Sequence, residues 1–273
     1  MTSVNTNNGA MIALQNLNST NKNMAQVQNR ISTGLKVAGA RDNGAIFAIA
    51  QNMRADVASL GVVSESLDRS VSTVDVALAA GEAISDLLVE MKEKALAASD
   101  VSLDTASREA LNEDFTSLRN QISTIVSNAS FNGINIIDGS VSGLSALADA
   151  DGTSQISVDT ENLSLGGSVV TIGSSATVTS QSGAASMVAT VQTSIENVNK
   201  ALARLGTGAK KLEVHNTFVG KLSDSLKAGI GNLVDADLAT ESARLQSLQV
   251  KQQLGAQALS IANQAPSLAL SLF

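Results

Sequence analysis

The chain has 273 residues and a formal net charge of −7, with no Trp, Tyr or Cys, five Phe, one His and one Pro. Zero cysteines exclude disulfides, thiolate metal sites and cysteine nucleophiles, and the lack of any basic block excludes nucleic-acid binding through a charged patch. So few aromatics fit a thin aliphatic core better than a compact enzyme globule.

The start, Met1–Leu14, carries no positively charged n-region and no apolar h-region, so no ordinary secretory signal is expected. No stretch approaches the ~18 apolar residues that would span a bilayer. Apolar residues then recur at alternating spacings of four and three: Ala10, Leu14, Leu17, Asn21, Met24, Gln28, Ile31 and Leu35, with polar lapses at 21 and 28. This predicts a helix with one narrow seam, packed through Leu14, Leu17, Met24 and Ile31.

The run Arg30–Ala45, RISTGLKVAGARDNGA, interrupts that pattern. It matches neither GxGxxG nor GxxxxGK[ST], and no strand leads into it, so it reads as a joint between helices rather than a phosphate loop. Gly34 and Gly39 are expected to let the backbone leave and re-enter helix. Lys36, Arg41 and Asp42 give the run its charges, and Asp42 or Asn43 is placed to cap the following helix.

The seam resumes at Val57, Leu60, Ser64, Leu67, Val71, Val74 and Leu78. Ser99–Asp104 separates it from a third segment, Leu111, Phe115, Leu118, Ile122, Ile125 and Ala129, which Asp104 or Thr105 would cap. FNGINIIDGS (Phe131–Ser140) contains Asn132–Gly133, a strong turn signal. Gly139–Gly183 is Ser-, Thr- and Gly-rich, with short alternation in QISVDT, SVVTIG and ATVTS; its acids Asp149, Asp151, Asp159 and Glu161 meet no Lys or Arg. It is expected to form a small, solvated, β-containing insertion. The longest seam follows, through Val188, Val191, Ile195, Val198, Leu202, Leu205, Ala209, Leu212, Asn216, Val219, Ser223 and Leu226. A looser helical stretch with Leu238, Leu245, Leu248 and Leu259 closes the chain as far as Pro266.

Narrow seams on long helices imply bundle or coiled-coil packing. The fold expected is mainly α, with long coiled-coil-like helices from both termini in an elongated rod-like bundle carrying a small β-containing insertion. Leu111, Phe115, Leu118, Ile122 and Ile125 against Val191, Ile195, Val198, Leu202 and Leu205 would build the rod core, and Leu245, Leu248 and Leu259 the C-terminal packing. Three portions follow: 1–44 with 230–273, 45–138 with 184–229, and 139–183. Residues 1–41 hold Lys22, Arg30, Lys36 and Arg41 and no acid, whereas the last portion holds Asp235, Asp237 and Glu241 against Arg244 and Lys251. The two ends are therefore suited to pair with each other or with neighbouring copies.

No catalytic, cofactor or metal site is expected. His215 has no second His or Cys to work with, Glu90/Glu93 and Glu113/Asp114 read as solvated helix faces, and neither GxSxG nor HExxH occurs. The polar faces of the end helices lack the Lys and Arg of a membrane anchor.

Three segments resemble bacterial flagellins: RISTGLKVAGARDNGAIFAIAQNMRADVASL, FNGINIIDG, and DADLATESARLQSLQVKQQLGAQALSIANQAPSLALSLF. The resemblance covers roughly residues 1–140 and 185–273. It implies a non-enzymatic filament subunit of the bacterial flagellum that self-assembles into a hollow helical polymer for swimming. The paired end helices would line the channel, the middle bundle would form the outer tube, the insertion would face solvent, and Lys36, Arg41 and Asp42 would pair with neighbouring copies in the lattice. It further implies export through the flagellar type III apparatus with a chaperone, growth under a cap, and contact with hook-junction proteins. Residues ~1–40 and ~235–273 are expected to be disordered in the monomer and to fold on polymerising. A hook–filament junction protein of the same superfamily is the alternative, and a filament-borne enzyme is disfavoured by the short insertion. Ser and Thr in 139–183 are possible O-glycan carriers. Flagellins sensed by the innate Toll-like receptor carry a pattern like L-Q-R-V-R-E-L where this chain has Leu88–Lys94, LVEMKEK. Glu90 in place of Arg and Lys94 in place of Leu predict poor detection.

Overall fold

The computed structural model describes residues 6–270, with side chains described as far as residue 264. The parts of the terminal expectations that fall on residues 1–5 and 271–273 lie outside these. Five helices and one hairpin follow in order: α1 (Asn8–Thr33), α2 (Gly44–Ala98), α3 (Thr105–Asn128), β1 (Leu144–Leu147), β2 (Gln155–Val158), α4 (Gln181–Val234) and α5 (Leu238–Leu270). The fold is mainly α, with long helices, paired terminal helices and a small two-stranded sheet. Two compact units result, Met1–Ala55 with Ser225–Phe273, and Asp56–Asp224.

In the second unit, α2 buries an unbroken heptad seam: Leu60, Val63, Leu67, Ser70, Val74, Ala77, Gly81, Ile84, Leu88, Met91, Ala95 and Ala98. α4 contributes Val191, Ser194, Val198, Ala201, Leu205, Ala209, Leu212 and Val219, and α3 contributes Phe115, Arg119, Ile122 and Val126. On α2 and α3 the predicted seams share every second position with these, and on α4 they share Val191, Val198, Leu205, Ala209, Leu212 and Val219. At the positions between, the buried residue is a neighbour. Ser194 and Ala201 are buried where Ile195 and Leu202 were expected, and Arg119 and Val126 where Leu118 and Ile125 were. Small residues let helices approach closely, and the larger neighbours then flank the seam, half-buried. Leu202 shows this: it lies over Gly81, where an added Cβ would come within 2.6 Å of its Cδ2.

α3 begins as expected at Asp104, whose carboxylate accepts from the Ser107 amide at 2.8 Å. Asn132 and Gly133 both take positive φ, 51° and 79°, and Phe131 and Ile134 exchange backbone hydrogen bonds of 3.0 Å across the turn. Residues 139–183 differ from the sequence reading. Only one antiparallel hairpin forms, pairing Leu144 with Val158 through Leu147 with Gln155; SVVTIG and ATVTS are not strands. Nor is the segment merely solvated, because Leu163, Val170, Ile172 and Val178 are fully buried. Side chains of the helices tie it down. Arg204 grips the Glu161 carboxylate through Nε (2.5 Å) and Nη2 (2.8 Å). Arg119 Nη1 donates to the Ala176 carbonyl at 2.6 Å, and Asn112 Oδ1 accepts from the Val178 amide at 2.8 Å. His215 uses Nε2 to donate to the Ala148 carbonyl at 2.8 Å. The lone histidine thus holds the hairpin against α4.

Candidate functional site

The first unit contains the joint and the paired terminal helices. α1 ends because Gly34 takes φ 71°, the left-handed geometry of a helix C-cap, and returns its amide to the Arg30 carbonyl at 2.9 Å. Gly39 has no positive φ and open space around it, so only the first of the two expected glycines is conformationally required. From Gly34 the chain crosses to the end of α4. Leu35 and Asp235 form an antiparallel bridge. The Val234 carbonyl accepts from both Lys36 N (2.6 Å) and Val37 N (3.2 Å), and Ala236 N donates to the Gly34 carbonyl at 2.9 Å. A small core sits beneath this clamp: Val37, Ala50 and Val234 are buried, with Leu35, Ile46, Phe47, Ile230 and Leu233 packed against them. The sequence reading missed this core, because Leu35 and Val37 lie within the glycine run and Ile230, Leu233 and Val234 come from the far end of α4.

Asp42 turns inward to its own loop: Oδ2 accepts from Ala38 N at 3.0 Å and Gly39 N at 3.2 Å. The α2 cap is its neighbour Asn43, whose Oδ1 accepts from Ile46 N at 3.1 Å. Lys36 and Arg41 are exposed, and among the described residues neither side chain has an ionic partner. Past the joint, Asp237 opens α5. Its carboxylate accepts from Ala239 N (3.0 Å), Thr240 N (3.3 Å) and Thr240 Oγ1 (2.6 Å). The Thr240 hydroxyl and these amides hold its titration below the ordinary carboxylate value.

α1 and α5 run antiparallel. Leu17 packs at Gly255, Gln252 Nε2 donates to Asn21 Oδ1 at 2.8 Å, and Arg30 Nη1 donates to Glu241 Oε1 at 2.9 Å. The polar lapses at 21 and 252 therefore face each other. One such polar layer inside an apolar seam fixes register. Leu17, Met24, Ile31, Leu245 and Leu259 are half-buried and Leu248 is buried, but Leu14 is 48% exposed and Gln28 is exposed. Val27, which the sequence reading passed over, takes the seam position instead. The Arg30–Glu241 pair is largely buried, and Arg30 Nε and Glu241 Oε2 have no partner within the described residues. The outer faces keep large apolar groups in solvent, among them Met11, Ile12, Leu14, Val250, Leu254 and Ile261. α5 also continues through Pro266 to Leu270, beyond the stop expected there.

The geometry is that of a folded joint beside a thin helix pair with exposed apolar faces. Residues 4–142 match the bacterial flagellin N-terminal helical region, and residues 188–273 the bacterial flagellin C-terminal helical region. The flagellin FljM of Caulobacter vibrioides is 58% identical over all of this chain and 99% of its own length. A flagellin of Brucella melitensis is 34% identical, again over all of this chain and 99% of its own. Among solved structures, Bacillus cereus flagellin superposes with a TM-score of 0.51 at 19% identity, covering 56% of this chain and 88% of that one. A Vibrio parahaemolyticus protein described as flagellar hook-associated gives 0.57 at 12% identity, covering 71% and 100%. Both of these are likenesses of fold alone.

Proposed function

The chain belongs to the bacterial flagellin family, and from that premise we propose how its surfaces divide the work of building a filament. It is a structural subunit of the extracellular flagellar filament, polymerises with copies of itself, and is not an enzyme. The hook–filament junction alternative loses its ground, since the full-length relatives are flagellins and the hook-associated likeness is one of fold.

In our reading α1 and α5 form the inner tube, the second unit forms the outer wall, and the 34–43 run with 230–237 is the joint between them. The observation that carries this is the row of exposed apolar side chains on α1 and α5. A soluble monomer rarely leaves so many large apolar groups on two neighbouring helices without a partner, and a head-to-tail contact that does not close generates an open helical polymer. Lys36 and Arg41, exposed and unpaired, would meet acidic groups of neighbouring copies.

α1 buries a single residue fully, Val27. Such thin burial does not offset the entropy of ordering two helices, so both would be largely unfolded in the free subunit and fold on polymerising. That would keep the chain exportable by the type III apparatus and recognisable by its chaperone, and it would confine growth to the capped tip. Two measurements test the reading. Hydrogen exchange on the monomer should leave the described parts of 6–40 and 235–270 unprotected while Leu67, Val198 and Phe115 are slow. The purified chain should elongate sheared filament seeds. Protected ends, or seeds that do not grow, would overturn it.

A further inference from the structure

Proline has no amide hydrogen, so a helix running through one leaves the carbonyl four residues earlier without its donor. For Pro266 that carbonyl belongs to Ala262. It is not left unfilled: the side-chain amide of Asn7, 255 positions away in sequence, donates to Ala262 O at 2.6 Å through Nδ2. The other end of the same side chain is also used, Oδ1 accepting from Ala10 N at 3.0 Å as the N-cap of α1. The approach does not depend on Gly9, where a Cβ would sit at ordinary contact distance, 3.5 Å from Asn7 Oδ1 and 4.0 Å from Ala262 Cβ.

Asp, Ser and Asn cap helices about equally well. Only Asn adds an amide donor to the capping oxygen. Upstream in α5 each backbone carbonyl is taken by the amide four residues on, so a donor arriving from α1 finds one vacant acceptor, and Pro266 decides which one. A slip of one helical turn would carry the amide about 5.4 Å from it.

We propose that Asn7 and Pro266 form a register clasp: the proline exposes the Ala262 carbonyl, and Asn7 reads it while starting α1, so that the open end of the terminal pair closes in a single alignment. Asn7 is thus a positioning residue for assembly. The clasp rests on the reading of the terminal pair as the assembling surface.

The test is a cycle of full-length variants read by the share of chain entering seeded filaments at fixed time. Asn7→Ser keeps the cap but cannot reach the carbonyl, and should lower incorporation at least fivefold. Pro266→Ala gives Ala262 O a helical donor and so removes the marked acceptor, and it should lower incorporation about as much as Asn7→Ser. In the Pro266→Ala background, Asn7→Ser should then cost less than twofold. A variant that grows no filament alone is read by its share in filaments grown from an equal mixture with the parent chain. An unaltered Asn7→Ser chain, an unaltered Pro266→Ala chain, or an equal further loss from Asn7→Ser in both backgrounds would each overturn the clasp. Failure of the parent chain to elongate seeds would instead overturn the assembly reading on which it rests.

Discussion

Asp42 separates two accounts of the joint. If it pairs with a neighbouring copy, its charge is what counts; if it holds its own loop, its acceptor geometry is. The structure gives it two backbone donors, Ala38 N and Gly39 N, at 3.0 and 3.2 Å. Both are exposed, so each bond contributes about 0.5–1 kcal/mol net, and Asp42→Ala should cost the joint about 1–2 kcal/mol, the range of a lost helix cap. That is roughly a 5- to 30-fold change in the population of the folded loop. Asp42→Asn keeps an acceptor and should recover most of it. The assay is seeded elongation at fixed subunit concentration, with a thermal melt of the monomer beside it. The melt should not move for either variant, because unit Asp56–Asp224 does not contain the loop. Elongation should fall for Asp42→Ala and largely return for Asp42→Asn. Equal failure of both would refute the loop-holding role and restore the ion-pair account.

Phe115 is fully buried and Leu118 only half so. Phe115→Ala should therefore cost about 3–5 kcal/mol in urea melts of the monomer, and Leu118→Ala clearly less than the 2–5 kcal/mol of a fully buried leucine. Removing Glu241 strands the largely buried Arg30, so Glu241→Ala should lower filament stability by roughly 3 kcal/mol, whereas Asp114→Ala, at an exposed carboxylate paired with a half-buried Lys94, should cost under about 1 kcal/mol; thermal disassembly and monomer melts respectively report these. The carboxyl of Asp104 is held below its ordinary value by the Ser107 hydroxyl and amide. A depressed folded-state value adds stability above the unfolded one and loses it as pH falls, so monomer melts should be flat from pH 7 to about 5, fall below about 4, and fall less for Asp104→Asn. Glu90 is exposed and Lys94 is engaged by Asp114 at 2.8 Å; a cell reporter for the innate receptor should respond poorly, and a response equal to that of a sensed flagellin would refute this.

The helices were legible in the sequence because a period of 3.5 over dozens of residues has no other reading. Which residues face inward was legible only at alternate positions. Choosing the larger apolar residue at the others selected Ile195 over Ser194 and Leu202 over Ala201, since size signals hydrophobicity but close helix approach favours small side chains. The packing of 139–183 was hidden for a related reason: its composition is that of a loop, and the partners that anchor it, Arg204, Arg119, Asn112 and His215, lie far away in sequence. Asn7 was invisible as a partner of Ala262 for the same cause. The break between α1 and α2 was legible from the glycine run, whereas the small core beneath it depends on α4 arriving beside it.

The clamp at that joint consists of Gly34, Lys36, Val37, Val234 and Ala236 joined through main-chain amides and carbonyls. Hydrogen bonds between peptide groups do not register exposed side chains such as Lys36, so the clamp depends on the few side chains that shape and underlie it. A chain that keeps the left-handed turn at Gly34 and the core of Val37, Ala50 and Val234 can therefore vary at the exposed positions of this run and still close the same clamp.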